Sequence, residues 1–159
     1  MKTLYHELTF GLHDRQQIAR IIIRLLAAFI LGGLVGIQRE RIHKPAGLRT
    51  HMLVCLGTAV FVTSCGAAGM AFDAQSRVIQ GIVTGLGFIG GGAILKLSQE
   101  HAIKGLTTAA GLWMTAAIGV TVGLGALGIA LIITILTLII LAVAPKFEGL
   151  VQSKRDAQS

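Results

Sequence analysis

Side chains able to do chemistry are scarce in this chain and poorly placed for most reactions. Its 159 residues hold seven carboxylates and five histidines, and no carboxylate falls inside a long apolar run. Glu40, Asp73 and Glu100 sit in short polar links between such runs. A divalent cation such as Mg²⁺ wants near-octahedral oxygen ligands and gives up its waters reluctantly. These residues cannot build a carboxylate cage at mid-membrane depth, so a Mg²⁺ path would need backbone carbonyls across an oligomer. His6, His13, His43, His51 and His101 lack metal-ligand spacing, and no nucleophile is spaced to pair with a base. The expectation is therefore no catalytic residue, no metal ligand and no cofactor. Gly85-x-Gly87-x-x-Gly90 and Gly123-x-Gly125-x-x-Gly128 match the dinucleotide fingerprint in letters only. Neither follows a strand in a soluble parallel-sheet unit, which the mechanism requires. No Gly-Lys-Ser/Thr follows a glycine loop, so nucleotide hydrolysis by that route is excluded.

The polar residues that remain read as contacts. Gln80, Thr84, Gly87 and Gly91 recur at i, i+4, i+7 and i+11, one stripe of a helix. The stripe serves either as hydrogen-bonding glue between helices, worth roughly 1 kcal/mol, or as the lining of a small polar cleft. Arg39, Arg41, Lys44 and Arg49 form a basic link that sets topology and can meet anionic lipid heads, at about 1 kcal/mol each. Arg24 lies near one end of the first apolar run, and Asp73 falls on the same side, so the two are expected to pair. Arg77 shares the Asp73 link. Cys55 and Cys65 share one expected helix about 15 Å apart, too far to bridge, and read as packing residues.

The elements that must position these residues are membrane spans. Hydrophobic residues make up 53% of the chain and charged residues only 13%, where a soluble domain carries about 25% charged. Mean hydropathy is +0.77. The net charge of +7 sits in the links, so it reads as positive-inside bias and not as a nucleic-acid surface. The expected fold is all-α, a polytopic membrane bundle of five transmembrane helices near 18–37, 50–71, 78–97, 106–122 and 127–144. A polar segment, 1–16, precedes the membrane domain, 17–145, and a short cytoplasmic tail, 146–159, follows Pro145, where helix five is expected to stop. The basic links place the amino end outside and the carboxyl end in the cytoplasm, in a bacterial inner membrane. The fifth span, nearly all Ile, Leu, Ala and Val, is expected to face lipid. The third and fourth, with Gln80, Thr84, Thr108 and Thr115 among small residues, have the composition of a helix–helix interface.

Sliding the chain by 58 residues lays Gly32-Gly33 on Gly90-Gly91, His43 on His101, Gly47-Leu48 on Gly105-Leu106 and Thr50 on Thr108. That makes six identities between Leu31 and Thr50, against about two by chance. Either the hairpins of spans one–two and three–four are a parallel repeat, or glycine-rich apolar segments coincide. Gly-x-x-x-Gly spacings at 32/36, 81/85 and 119/123 let backbones approach closely, within one chain or in a homodimer.

Several of these stretches, taken in order, resemble the MgtC/SapB family of bacterial inner-membrane proteins. They are Gly32-Gly33-Leu-Val-Gly36-Ile-Gln-Arg39-Glu40-Arg41, Lys44-Pro-Ala-Gly-Leu-Arg49-Thr50, Gln80-Gly-Ile-Val-Thr84-Gly85-Leu-Gly87-Phe-Ile-Gly90-Gly91-Gly-Ala-Ile-Leu95, Lys104-Gly-Leu-Thr107-Thr108-Ala-Ala-Gly-Leu-Trp113 and Ala116 to Gly125. The resemblance implies a five-span domain tied to adaptation to low Mg²⁺ and, in some pathogens, to survival inside macrophages. Its best-studied members look like regulators of other membrane machinery, notably ATP synthase. The partners it implies are membrane lipid, other membrane proteins and a second copy of the chain. Many members carry a soluble carboxyl-terminal domain, and the best-known one has Asn where this chain has Thr107. Candidate functional or packing residues are Arg39, Glu40, Arg49, Thr50, Asp73, Arg77, Gln80, Thr84, Gly87, Gly91, Thr107, Thr108 and Trp113.

Overall fold

A computed structural model describes residues 14–97 and 102–156, with side chains described outside 95–103 and 146–156. Within that range the chain forms α1 (Arg15–Arg41), α2 (Leu48–Ala67), α3 (Phe72–Gly92), a small hairpin of β1 (Leu95–Leu97) and β2 (Ala102–Lys104), α4 (Leu106–Gly123) and α5 (Leu127–Asp156). The hairpin is antiparallel, with Leu95 opposite Lys104 and Leu97 opposite Ala102. The expectations for 1–13, His6, His13, Glu100 and His101 fall outside the described residues.

Four helices are long and apolar enough to cross a membrane: α1, α2, α4 and residues 127–145 of α5. At 21 residues α3 is about 31 Å long, but it opens on Asp73, Gln75, Ser76 and Arg77 and is not among the four. It starts six residues earlier than the hydropathy pattern implies, because the polar link is itself helical. The large side chains face outward, Ile23, Leu26 and Ile30 on α1 and Ile132, Ile135, Leu136 and Ile139 on α5. The protein is thus a multi-pass membrane bundle. The two polar side chains of the apolar part of α5, Thr134 and Thr137, turn inward and return their hydroxyl protons to Ala130 and Ile133 carbonyls.

Close approach is set by glycine. On α1, a Cβ at Gly32 would lie 2.6 Å from Cys55 Cβ, and one at Gly36 would lie 2.7 Å from Leu48 Cα. On α4, a Cβ at Gly119 would collide with Thr58 Oγ1 and the Cys55 carbonyl, and one at Gly123 would lie 2.7 Å from Val62 Cβ. Two glycine pairs spaced by four therefore grip α2 from both sides, and small-residue contact of this kind is how helices associate in lipid. Cys55 and Cys65 are buried free thiols on that α2 face. Helix α4 touches all four other helices, while α3 touches α4 and, more sparsely, α2.

Three expectations need correction. The third glycine pair does not pack within the chain: Gly81, Gly85, Gly87, Gly91 and Gly92 have nothing within 4 Å of an added Cβ, and Gln80 and Thr84 are exposed. Only Leu86 of α3 is buried among the described residues. Arg24 does not pair with Asp73. Its Nη1 donates to the Gly123 carbonyl at 2.9 Å, a cation at a helix C-terminus, while Asp73 pairs with Arg77 one turn away. The Gly125 backbone at φ 87 leaves no Cβ in the way of that guanidinium. Finally, α5 does not stop at Pro145 but runs through it to Asp156.

Candidate functional site

Pro145 cannot donate to the carbonyl four residues back, and an interior proline ordinarily costs a helix about 3 kcal/mol. That carbonyl belongs to Leu141, and Gln38 Nε2 of α1 donates to it at 3.2 Å. The next residue, Arg39, sends Nη2 to Thr108 Oγ1 of α4 at 3.2 Å. The one after, Glu40, accepts the Leu48 N–H at the start of α2 at 2.9 Å. Successive helical residues point about 100° apart, so three adjacent polar side chains reach α5, α4 and α2 in turn. This junction closes one end of the bundle.

Each tie has a local cause. Nothing in the side chain of Gly47 caps α2, so the Glu40 carboxylate does so from another helix, and a Cβ on Gly47 would fall on its Oε2. Arg39 is 1% exposed and lies in the last turn of α1, where the helix dipole favours a cation. No carboxylate pairs with it among the described residues. His51, fully buried in the first turn of α2, meets Thr115 Oγ1 at 2.7 Å through Nδ1. The Thr115 hydroxyl already donates to the Gly111 carbonyl at 2.9 Å. His51 Nε2, Arg39 Nε and Gln38 Oε1 are buried without a partner among the described residues. The described residues hold no group of three His, Cys, Asp or Glu that could bind a metal.

The MgtC family model matches residues 25–150. The chain belongs to the MgtC family. It is 41% identical to protein SrpB of Synechococcus elongatus, a match covering 75% of this chain and 71% of SrpB. It is 43% identical to YhiD of Escherichia coli K12, named as a candidate magnesium transporter, over 79% of this chain and 60% of YhiD. It is 41% identical to protein MgtC of Salmonella typhimurium LT2 over 80% of this chain and 53% of that protein. The matched region thus spans little more than half of the last two. No solved structure matches the chain.

In this MgtC-family bundle, the structure unites Arg39, Glu40 and Thr108 at the junction and scatters the remaining candidates. Arg49 and Thr107 are exposed in the first turns of α2 and α4, and Thr50 is half-buried beside them. Asp73 and Arg77 form an exposed pair at the far end of α3. Gln80, Thr84, Gly87 and Gly91 share the outer side of α3, and Trp113 is half-exposed on α4. Sequence reasoning missed Gln38, His51 as a junction residue and the capping of α2 at Gly47 by the Glu40 carboxylate. The available signal was three consecutive polar residues closing an apolar run, and a proline whose orphaned carbonyl had to be met by something.

Proposed function

We propose that this protein is a non-enzymatic inner-membrane component of adaptation to low Mg²⁺ or membrane-energy stress, acting by lateral contact with other membrane proteins. The observation that carries the reading is the outer stripe of α3, where the Gln80 amide has no partner among the described residues. The Gln80 carboxamide is exposed on α3, and a second helix with a hydrogen-bonding group would pair with it at roughly 1 kcal/mol. The cytoplasmic placement of the junction end, from the basic links, and ATP synthase as a partner, from the family resemblance, belong to the same proposal.

The test is a photo-crosslinking residue at position 80 or 84 in native membranes, with position 132 on the lipid side of α5 as control. Adducts to one membrane protein at 80 or 84 but not at 132 support lateral contact. A transport reading is favoured by the name of YhiD. Against it stands Arg39, whose buried positive charge at the bundle end opposes entry of a cation. Saturable Mg²⁺, H⁺ or K⁺ flux into liposomes holding the purified protein would replace the contact reading with transport.

A further inference from the structure

The two Gly-Leu-x-Thr turns of the 58-residue register open α2 and α4 at the same end of the bundle, and only one receives an anion from the described chain. At Gly47-Leu48 the Glu40 carboxylate sits 2.9 Å from the first N–H of α2. At Gly105-Leu106 the residue in the register of Glu40 is Ser98, which carries no charge. Gly105 offers no side chain to cap α4, no other described side chain bonds its first N–H groups, and its first internal backbone bond runs from Ala109 N–H to the Gly105 carbonyl. The N–H groups of Leu106, Thr107 and Thr108 therefore point out of the first turn of an 18-residue helix, where the dipole attracts negative charge. Gly105, at φ 99, holds that turn against the backbone of Ala93, where a side chain would collide.

A second feature points to the same place. Arg39 is almost wholly buried, its Nη2 rests on Thr108 Oγ1 in that first turn, and its Nε lacks a partner among the described residues. The guanidinium thus bonds into the first turn of α4, with no carboxylate paired to it among the described residues. Leu106 and Thr107 are exposed in front of it, so an oxyanion can reach the turn from the bundle end. An anion there would do for α4 what Glu40 does for α2, and would offset the buried charge as well.

We propose that the first turn of α4 is a phosphate-binding site. The phosphoryl oxygens accept from the Leu106 and Thr107 N–H groups and the Thr107 hydroxyl, with Arg39 supplying positive charge from behind Thr108. The phosphate belongs to an anionic lipid headgroup or is free in solution, and the chemistry is shared. This inference does not depend on the lateral-contact reading.

The test is thermal unfolding of the full chain in a neutral detergent, followed through Trp113 fluorescence. Inorganic phosphate and phosphatidylglycerol are titrated separately, with chloride at matched ionic strength as baseline. The expected result is a saturable rise in Tm with at least one of them. A response to inorganic phosphate assigns a free-phosphate source, and a response to phosphatidylglycerol alone assigns the headgroup. Thr107→Asp places a carboxylate on the turn. It should raise Tm without ligand and weaken the response at least ten-fold. Arg39→Gln should also weaken it, and Arg20→Gln, exposed near the opposite end of α1, should leave it unchanged. The proposal is overturned if neither source raises Tm, if Thr107→Asp binds like the native protein, or if Arg20→Gln weakens binding as much as Arg39→Gln. It is equally overturned if a response appears only after Glu100→Gln, since the chain's own carboxylate would then hold the turn.

Discussion

The α1–α2 and α3–α4 hairpins share a sequence register and do opposite things with it. In the first, Gly32 and Gly36 lie under α2 with no room for a methyl group, and the entry to α2 is closed by Glu40. In the second, Gly91 faces open space, Gly90 has only the Ala109 methyl at 3.7 Å, and no described side chain caps the entry to α4. The register carries Gly32 onto Gly90 but Gly36 onto Ile94, so the close-packing pair of the first hairpin has only a loose, single-glycine counterpart in the second. What differs is the neighbour. Helix α2 is enclosed between α1 and α4, whereas α3 lies on the outside of the bundle. A small-residue motif therefore says that a backbone can come close, without saying whose.

The largest expected effect tests that contrast directly. Gly119→Leu, which drives a side chain into Thr58 and Cys55, should lower stability by about 3 kcal/mol or prevent folding. Gly85→Ala, with open space around it, should leave the bundle unchanged or steady α3 by up to about 1 kcal/mol. Thermal unfolding in detergent separates the two. Equal losses would erase the distinction between the hairpins.

Removing the cap of the first hairpin should come next. Glu40→Ala is expected to cost about 1 kcal/mol, as for other lost helix caps. Gly47→Ala should be harmful in the native background, where its methyl meets the Glu40 carboxylate, and milder once Glu40 is alanine. A double-mutant cycle measures that coupling, and additivity would argue against the cap.

Gln38→Leu should cost a similar or smaller amount, about 1 kcal/mol, by stranding the Leu141 carbonyl. In a Pro145→Ala background a backbone N–H is restored at that position, so the same substitution should become nearly neutral. An unchanged loss would mean that Gln38 acts elsewhere. The smallest expected effect is at the unoccupied surface. Gln80→Leu should shift the unfolding of the isolated chain by no more than about 0.5 kcal/mol while abolishing crosslinks from position 84 in native membranes. A large stability loss would show that the amide serves the chain itself.

Arg39, Glu40 and Thr108 were legible as candidates because they are polar residues at the edges of apolar runs. Their meeting was not, because Arg39 and Thr108 are 69 residues apart and no periodicity encodes which helices share an end. Arg24 shows the same limit. Its charge near the membrane demanded a partner, and Asp73 was the obvious carboxylate. The packing of α1 against the end of α4 offered a carbonyl instead, which serves a guanidinium and also satisfies a helix end.

Residue types and their periodicity determined by themselves that this chain is a helical membrane protein, roughly where its five helices lie though not where α3 begins or α5 ends, and that small residues let them touch. These follow from local physics: apolar runs of span length must form helices in lipid, since no water is there to take up backbone hydrogen bonds. Tertiary structure alone decided that α2 is the gripped helix and α3 the outer one. It also decided that Gln38 meets the carbonyl freed by Pro145 and that Glu40 closes one helix entry while Arg39 stands behind another. Those outcomes depend on which helix lies beside which, and many arrangements bury a similar apolar area. The choice among them rests on fits of a few ångströms at glycines and on single polar groups needing partners.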